Sequence, residues 1–343
     1  MPDIEKLKVA QYGVGPTGAK IILLAREKPA LEIVGAVDVD PAKVGKDLGR
    51  VAGAAKPWGI VVSDSAADIL SLRPDIVLHS TVSRLSDAAR QILECVRAGA
   101  CVISTCEELA YPYAEHADAA QEIDRAAREH GVAVLGAGVN PGFVMDRLVL
   151  YLSGVCQRVD AVKVKRIVNA SERRLPLQKK VGAGVSRSEF MAGVASGGIK
   201  HYGLPESARM IAGGLGMKLD SVEETIRPVM ARHDVRTAFL KVPKGKVAGV
   251  RQVCIGKQDG KIRVRLELRV YVGAEDPVDA ITIAGMPAVR AEIPGGIHGD
   301  VATAAVIVNS IPWVMAATPG LWTSADLPIR YYAGTAQSAG DAP

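Results

Sequence analysis

KVAQYGVGPTGAK, residues 8–20, is the stretch that decides the fold. A β-branched apolar run ends on Gly13-Val14-Gly15-Pro16-Thr17-Gly18, and helical spacing follows over 16–27. The glycines permit a tight turn and close approach of a pyrophosphate, which the free N–H groups of a helix N-terminus stabilise. Asp38 lies 20 residues after Gly18, at the end of the second apolar run LEIVGAVD (31–38). A lone GxGxxG is a weak signal. Strand, glycines, helix and a second-strand acid at this distance together specify a dinucleotide site, with Gly13, Gly15, Pro16, Thr17, Gly18 and Asp38 as its residues. An acid here accepts from the adenosine ribose hydroxyls and repels a 2′-phosphate, so NAD is expected first. NADP remains open, because Asp40, Lys43 and Lys46 follow and a lysine that swings over could accept the phosphate.

Outward from this stretch, the same alternation continues. Strand candidates are GIVVS (59–63), DIVLHST (75–81), CVIST (101–105) and VAVLGAG (132–138), with helical spacing at 41–50, 66–71, 84–99 and 114–130. Strands alternating with helices predict an α/β protein with a Rossmann-type, doubly wound parallel sheet. The second half changes character. DAVKVKRIVNA (160–170), a helical zone at 186–232, AFLKVPKGKVAGVRQVCIG (238–256), KIRVRLELRVYVG (261–273) and DAITIAG (279–285) predict an α+β substrate and dimerisation domain. In the third strand of this set Arg263, Arg265, Glu267 and Arg269 alternate with Val264, Leu266, Leu268 and Val270, the period of a sheet with one wet face. The expected domains are 1–145 and 146–315, with a C-terminal segment 316–343 that could return to the first; the helix at 299–316 is not placed by sequence alone.

The chain has 343 residues, 48% hydrophobic and 23% charged, with 42 Lys and Arg against 37 Asp and Glu. Its cations are scattered, which argues against a nucleic-acid partner; the densest group, Arg173 to Lys180, reads as a solvated loop. No apolar run of the ~18 residues needed to span a bilayer is evident. No targeting leader is evident either, so the expectation is a cytoplasmic protein with no membrane partner. The five cysteines form no CxxC pair and read as reduced core thiols, with no metal site.

VISTCEELAYPY (102–113) places Cys106, Glu107 and Glu108 just beyond the fifth strand, at the sheet edge where open α/β sheets bind ligands. The pair is a candidate for proton transfer beside a nicotinamide; the competing reading is a solvated turn with one acid capping the following helix. Ser80 and Thr81 end the fourth strand, either facing the nicotinamide or capping the helix after it. The next strand ends in Asn140-Pro141-Gly142-Phe143, which is expected to open a helix, with Asn140 on the cofactor and Phe143 on the substrate. His201 is a substrate contact or a turn histidine, and His298 a weaker candidate. Arg166 and Asn169 could point into the cleft toward the substrate; the competing account is ion pairing with the partner domain.

GVGPTG (13–18), STCEELAYP (104–112), GAGVNPGF (136–143) and KHYGLPES (200–207) together resemble the family of 2,4-diaminopentanoate dehydrogenases and native amine dehydrogenases, whose first domain is similar to that of dihydrodipicolinate reductase. The likeness spans residues 5–330. It implies an NAD(P)-dependent oxidoreductase that reversibly converts a small aliphatic ketone or aldehyde and ammonia to a primary amine, with Glu108 as its catalytic acid and Glu107 as the other member of the pair. Placement of His201 near the substrate also follows from it. 2,4-Diaminopentanoate would require a carboxylate site, for which Arg166, Arg173, Arg174 and Lys179 are candidates. Dihydrodipicolinate reductase itself is disfavoured, since none of the six histidines is adjacent to another. The sugar oxidoreductases of similar architecture are disfavoured too, because Cys-Glu-Glu stands where they carry Glu-Lys-Pro. A non-catalytic NAD(P)-binding sensor is the alternative of another class. The alternating sheet of the second domain suggests a homodimer.

Overall fold

Three of the short apolar runs of the first half are buried at every position, as strands covered on both faces must be. The computed structural model describes residues 6–328. In chain order the first half forms β1 (Leu7–Tyr12), α1 (Pro16–Arg26), β2 (Leu31–Val37), α2 (Leu48–Ala52), β3 (Val62–Ser63), α3 (Ala66–Ser71), β4 (Ile76–His79) and α4 (Leu85–Arg97). It continues with β5 (Cys101–Ser104), a 3₁₀ turn (Glu107–Ala110), α5 (Ala117–Glu129) and β6 (Ala133–Gly136). α4 shows why these helices form: Leu85, Ala88, Ile92, Cys95 and Val96 make one buried stripe at three- and four-residue spacing, the face that packs on the sheet.

The second half forms α6 (Arg147–Ser153), β7 (Arg158–Asn169), α7 (Leu175–Lys180), α8 (Arg187–Ala195), α9 (Leu204–Gly214), β8 (Ser221–Met230), the short ribbon β9 (Val235–Arg236) and β10 (Lys241–Val242), β11 (Val247–Gln258), β12 (Lys261–Tyr271), β13 (Val278–Met286) and β14 (Val289–Pro294). The chain then returns through α10 (Gly299–Ala316) and β15 (Gly320–Thr323).

Two units result, one ending at Gly142 and resuming at Gly299, the other running from Phe143 to His298. The first holds a seven-stranded sheet in the order β15-β6-β5-β4-β1-β2-β3, parallel throughout. Its strand order reverses at β1, whose neighbours are β2 and β4. The second holds a six-stranded sheet, β14-β13-β7-β12-β11-β8, antiparallel except where β7 meets β12. Val264, Leu266, Leu268 and Val270 are buried, and α9 packs on β11 and β12.

Several expectations are revised. The boundary near 145 falls at 142, and the last helix, grouped by sequence with 146–315, belongs to the first unit. α10 packs on α1 and on β4, β5 and β6, because Ala304, Ile307, Val308, Ile311 and Val314 complete the core of that sheet. The C-terminal segment does return to the first sheet, as β15 beside β6; its part beyond 328 lies outside the described residues. The helix expected at 41–50 begins only at Leu48, since Gly45 at φ +77° breaks the preceding turn and Asp47 caps the next one through Arg50 N–H. The helical zone at 186–232 ends in a strand: β8 is an edge strand, the position where Pro228 is tolerated. Arg173 to Lys180 is not a solvated loop. Most of it is α7, with Arg173 and Gln178 buried. The one helix among the described residues long and apolar enough to cross a membrane is α10, whose apolar residues enter the first unit's core.

Candidate active site

All parallel strands of the first sheet deliver their carboxyl ends to one edge, so the loops after β1, β2, β4, β5 and β6 share it. The glycine loop follows β1. Gly13 has φ +86°, and a Cβ there would lie 2.6 Å from the Ser80 carbonyl oxygen. Gly18 is tighter, because a Cβ would sit 2.0 Å from the Gly13 oxygen and 2.6 Å from Ser80 Oγ. Gly15 is different: its φ is an ordinary −69° and a Cβ would meet nothing within 4 Å. That open space faces the start of α1, whose first turn has Pro16 at its head and no side-chain cap. Glycine is needed at 13 and 18 to close the loop, and at 15 it leaves open space at the start of α1.

Asp38 stands just beyond β2. Its Oδ2 accepts from Val14 N–H at 2.7 Å and from Lys43 Nζ at 3.0 Å, and its Oδ1 accepts from Asp40 N–H at 2.9 Å. Burial works to raise its pKa, but the Asp40 N–H, the Lys43 ammonium and the Val14 N–H outweigh it and hold the carboxyl below its ordinary value. Lys43 thus lies on the acid, not swung away from it.

Ser80 does not point toward a nicotinamide. Its hydroxyl donates to the Gly13 carbonyl at 2.9 Å and accepts from Gln11 Nε2 at 2.8 Å, so it braces the glycine loop from below. Thr81 donates to Gln91 Oε1 at 2.7 Å and contacts His79 Nε2 at 3.0 Å. His79 is buried between Ser104 Oγ and Gln91 Oε1, 2.8 Å from each, and burial lowers its pKa to about 4, so the ring is neutral. Ser104 Oγ accepts from Cys106 N–H at 3.1 Å. Gln11, His79, Gln91 and Ser104 therefore tie the ends of β1, β4 and β5 together, a role the sequence reading missed. Polar residues inside otherwise apolar strands were the available signal.

The turn after β5 sets the acids. Gly136 on β6 lets it close down, since a Cβ there would lie 2.3 Å from Leu109 O. Glu108 N–H donates to Ser83 O at 3.3 Å, and its Oε2 accepts from Leu85 N–H, at the start of α4, at 2.7 Å. His116 Nε2 lies 3.0 Å from the same oxygen. Glu108 Oε1 has no protein partner among the described residues. Glu107 is half-buried on the same turn. Cys106 is buried, donates its thiol to Ser83 O at 3.2 Å, and is pushed up to about 12 by burial, which removes it as a nucleophile. Asn140 follows β6, with its Oδ1 buried and unpartnered. Residues 140–146 form turns, and the helix expected at Asn140 opens instead at Arg147, where Asp146 accepts from its N–H.

In the second unit Phe143 is half-buried. Arg166 is not available to a ligand: it pairs with Asp279, its neighbour across the β7–β13 register, and donates to Ile297 O at 2.7 Å. The partner is within its own sheet. Asn169 accepts from Ser171 N–H, a local turn bond. His201 has its backbone fixed by Gln252, and its buried Nδ1 has no partner. Burial and the charges of Lys180 and Arg166 lower its pKa to about 4, leaving the ring neutral. All five cysteines are free, and the described residues contain no group of side chains suited to a metal.

A glycine cradle, a second-strand acid and a carboxylate on the neighbouring edge define a nicotinamide-dependent dehydrogenase. The open Gly15 cradle, the uncapped start of α1 and the orphaned Asn140 oxygen fit a dinucleotide. A family model described as the 2,4-diaminopentanoate dehydrogenase C-terminal domain matches residues 143–338, and the chain belongs to this family. It is 33% identical over 342 residues to a 2,4-diaminopentanoate dehydrogenase of Acetoanaerobium sticklandii, covering 95% of this chain and 94% of that one. An amine dehydrogenase of Streptomyces virginiae is 26% identical, covering 93% and 95%. The solved amine dehydrogenase from Mycobacterium smegmatis superposes with a TM-score of 0.84 at 27% identity, covering 95% and 97%.

Proposed function

We propose that this chain is an NAD(P)-dependent amine dehydrogenase that interconverts a small aliphatic ketone or aldehyde plus ammonia with a primary amine. Gly13, Gly15, Pro16, Thr17 and Gly18 would hold the pyrophosphate, Asp38 the adenosine ribose, and Asn140 the nicotinamide side. Asp38 favours NAD, because its ionised carboxylate faces the place of a 2′-phosphate. When bound, the nicotinamide supplies or accepts the hydride. Glu108 takes a proton from ammonium, returns it to the departing carbonyl oxygen, and in its charged form stabilises the cationic iminium. Glu107 is the alternative acid. The reading rests above all on Glu108, whose one oxygen is anchored by Leu85 and His116 while the other is left without a protein partner. The enzyme works in the cytoplasm as a homodimer, using the face of the second sheet that bears Arg263, Arg265 and Arg269.

A second reading is favoured by Lys180, whose positive charge bears on the neutral His201 ring. It takes a substrate that carries a carboxylate, such as 2,4-diaminopentanoate, the compound for which the Acetoanaerobium relative is named. NADH consumption with a small ketone and ammonium, against ketone alone, tests the reaction class. NAD reduction by 2,4-diaminopentanoate against an unsubstituted alkylamine separates the two substrates. Oxidation of NADH that is independent of ammonium would overturn the amine dehydrogenase.

A further inference from the structure

We propose that His116 is a positioning residue for Glu108 that also carries its proton to and from solvent. The inference rests on the assignment of Glu108 above. His116 occupies the N-cap of α5, where its backbone is pinned on both sides: its N–H donates to Pro112 O at 2.9 Å, and its carbonyl accepts from Ala120 N–H at 2.9 Å. The ring therefore reaches Glu108 from a fixed base. Its Nε2 and the Leu85 N–H converge on one carboxylate oxygen, at 3.0 and 2.7 Å. With that oxygen held from two directions the carboxylate plane is set, and Oε1 is the atom presented for chemistry. The backbone N–H fixes position only, because it cannot exchange a proton in turnover. Imidazole can do both, since its two nitrogens allow a proton to enter at one and leave from the other.

The proton balance of amination includes one exchange with solvent that such a path would serve. Ketone, ammonium, NADH and one proton give alkylammonium, NAD and water. The C–N bond forms first, the C–O bond breaks as water leaves the carbinolamine, and hydride then forms the new C–H bond on the iminium. Both protons that leave on oxygen come from ammonium as the cationic iminium forms, and Glu108 can move them internally. The solvent proton is taken up by the amine nitrogen after hydride transfer, through Glu108, and oxidation of the amine returns it to solvent. The Glu108 side chain is 14% exposed and that of His116 is 27% exposed, so the imidazole is the more open member of the pair. Nothing in a structural cap would require an exchangeable group there. A second backbone N–H or an amide would hold the carboxylate equally well.

His116→Gln and His116→Ala test this, with Glu108→Gln as reference. Thermal midpoint and NADH affinity by fluorescence are measured first, and both should match the wild type. Turnover in both His116 variants should fall at least tenfold, with the KM for ketone changed much less, and imidazole added to the buffer should restore His116→Ala in proportion to its concentration. In a Glu108→Gln background, replacing His116 should cost nothing more. Full turnover in His116→Gln while Glu108→Gln is inactive would overturn this inference alone. Loss of turnover in both His116 variants without imidazole rescue would also overturn it, since the ring would then be purely structural. An active Glu108→Gln enzyme would instead remove the assignment on which the inference rests.

Discussion

Replacing Gly15 with valine separates cofactor binding from folding, because the two roles of the glycine loop fall on different residues. Gly15 has φ −69°, which valine adopts without strain, and a Cβ would touch nothing within 4 Å, so the folded chain should keep its thermal midpoint. The side chain would instead fill the cradle over the start of α1. A pyrophosphate excluded from it loses hydrogen bonds to the free N–H groups of the first turn. Bonds to charged groups contribute about 1.5–3 kcal/mol each, so losing two costs about 3–6 kcal/mol. That corresponds to a weakening of about 10² to 10⁴ in the NADH dissociation constant. Gly18→Ala is the contrasting variant: its Cβ would lie 2.0 Å from the Gly13 oxygen, so the loop itself must move and the midpoint should drop along with binding. Titration by NADH fluorescence and a thermal melt read both quantities. Normal NADH affinity in Gly15→Val would refute the cradle, and a lowered midpoint in that variant would refute the separation of roles.

Glu108→Gln should lower ammonia-dependent turnover by about 10²-fold or more, the scale of a general acid or base, with little change in NADH affinity. Glu107→Gln should cost much less, and the reverse ranking in steady-state assays would transfer the role to Glu107. Asp38→Ser should shift the ratio of kcat/KM for NAD and NADP toward NADP, since Lys43, 3.0 Å from the acid, is then released to meet a 2′-phosphate; an unchanged ratio would remove Asp38 as the ribose-reading acid. Glu267 is the buried centre of Arg251, Arg265 and Arg269. Burial raises its pKa, but Arg251 and Arg269 outweigh this and bring it to about 2. A carboxylate depressed below its unfolded value of about 4.3 contributes stability above that pH and loses it as pH falls toward 2. Urea midpoints of wild type and Glu267→Gln should therefore differ most at pH 7 and converge between pH 5 and pH 2.5; parallel curves would show that the arginines do not depend on that charge.

The first unit was legible because its signals are local. Buried parallel strands need largely apolar runs, and β4, β5 and β6 carry them, with only His79 and Ser104 polar at the ends of β4 and β5. The glycine loop needs glycines at two crowded positions and one open one, and the sequence spells them at 13, 15 and 18. Where the fold was misjudged, long-range partners decide. β8 is extended because β11 offers it a ladder, although Ser221–Met230 lies in a zone read as helical. α10 carries apolar residues nearly all round, so its own pattern names no partner. Only the core of the first sheet, with α1 lying beside it, shows which unit needed a cover.

The site divides in the same way. Its loops could be placed, because every strand of a parallel sheet ends at the same edge, and that is where Asp38, Glu108 and Asn140 were expected. The direction of individual side chains could not be. Ser80 ends the strand that borders the switch point, yet the loop it follows packs under Gly13, so its hydroxyl goes to the glycine loop. Arg166 alternates correctly along β7, but its guanidinium belongs to Asp279 because β13 pairs at that register. Both readings offered for the Glu107–Glu108 pair, catalytic acid or helix cap, treated the two as exclusive. The two are compatible in one residue, although the helix Glu108 caps is α4, before the turn, and not the one that follows. Glu108 accepts from the first N–H of α4 through Oε2, and that anchoring leaves Oε1 free with a fixed orientation, so the cap would supply the preorganisation that the proposed proton transfer requires. A carboxylate bound by neither oxygen would be poorly aimed.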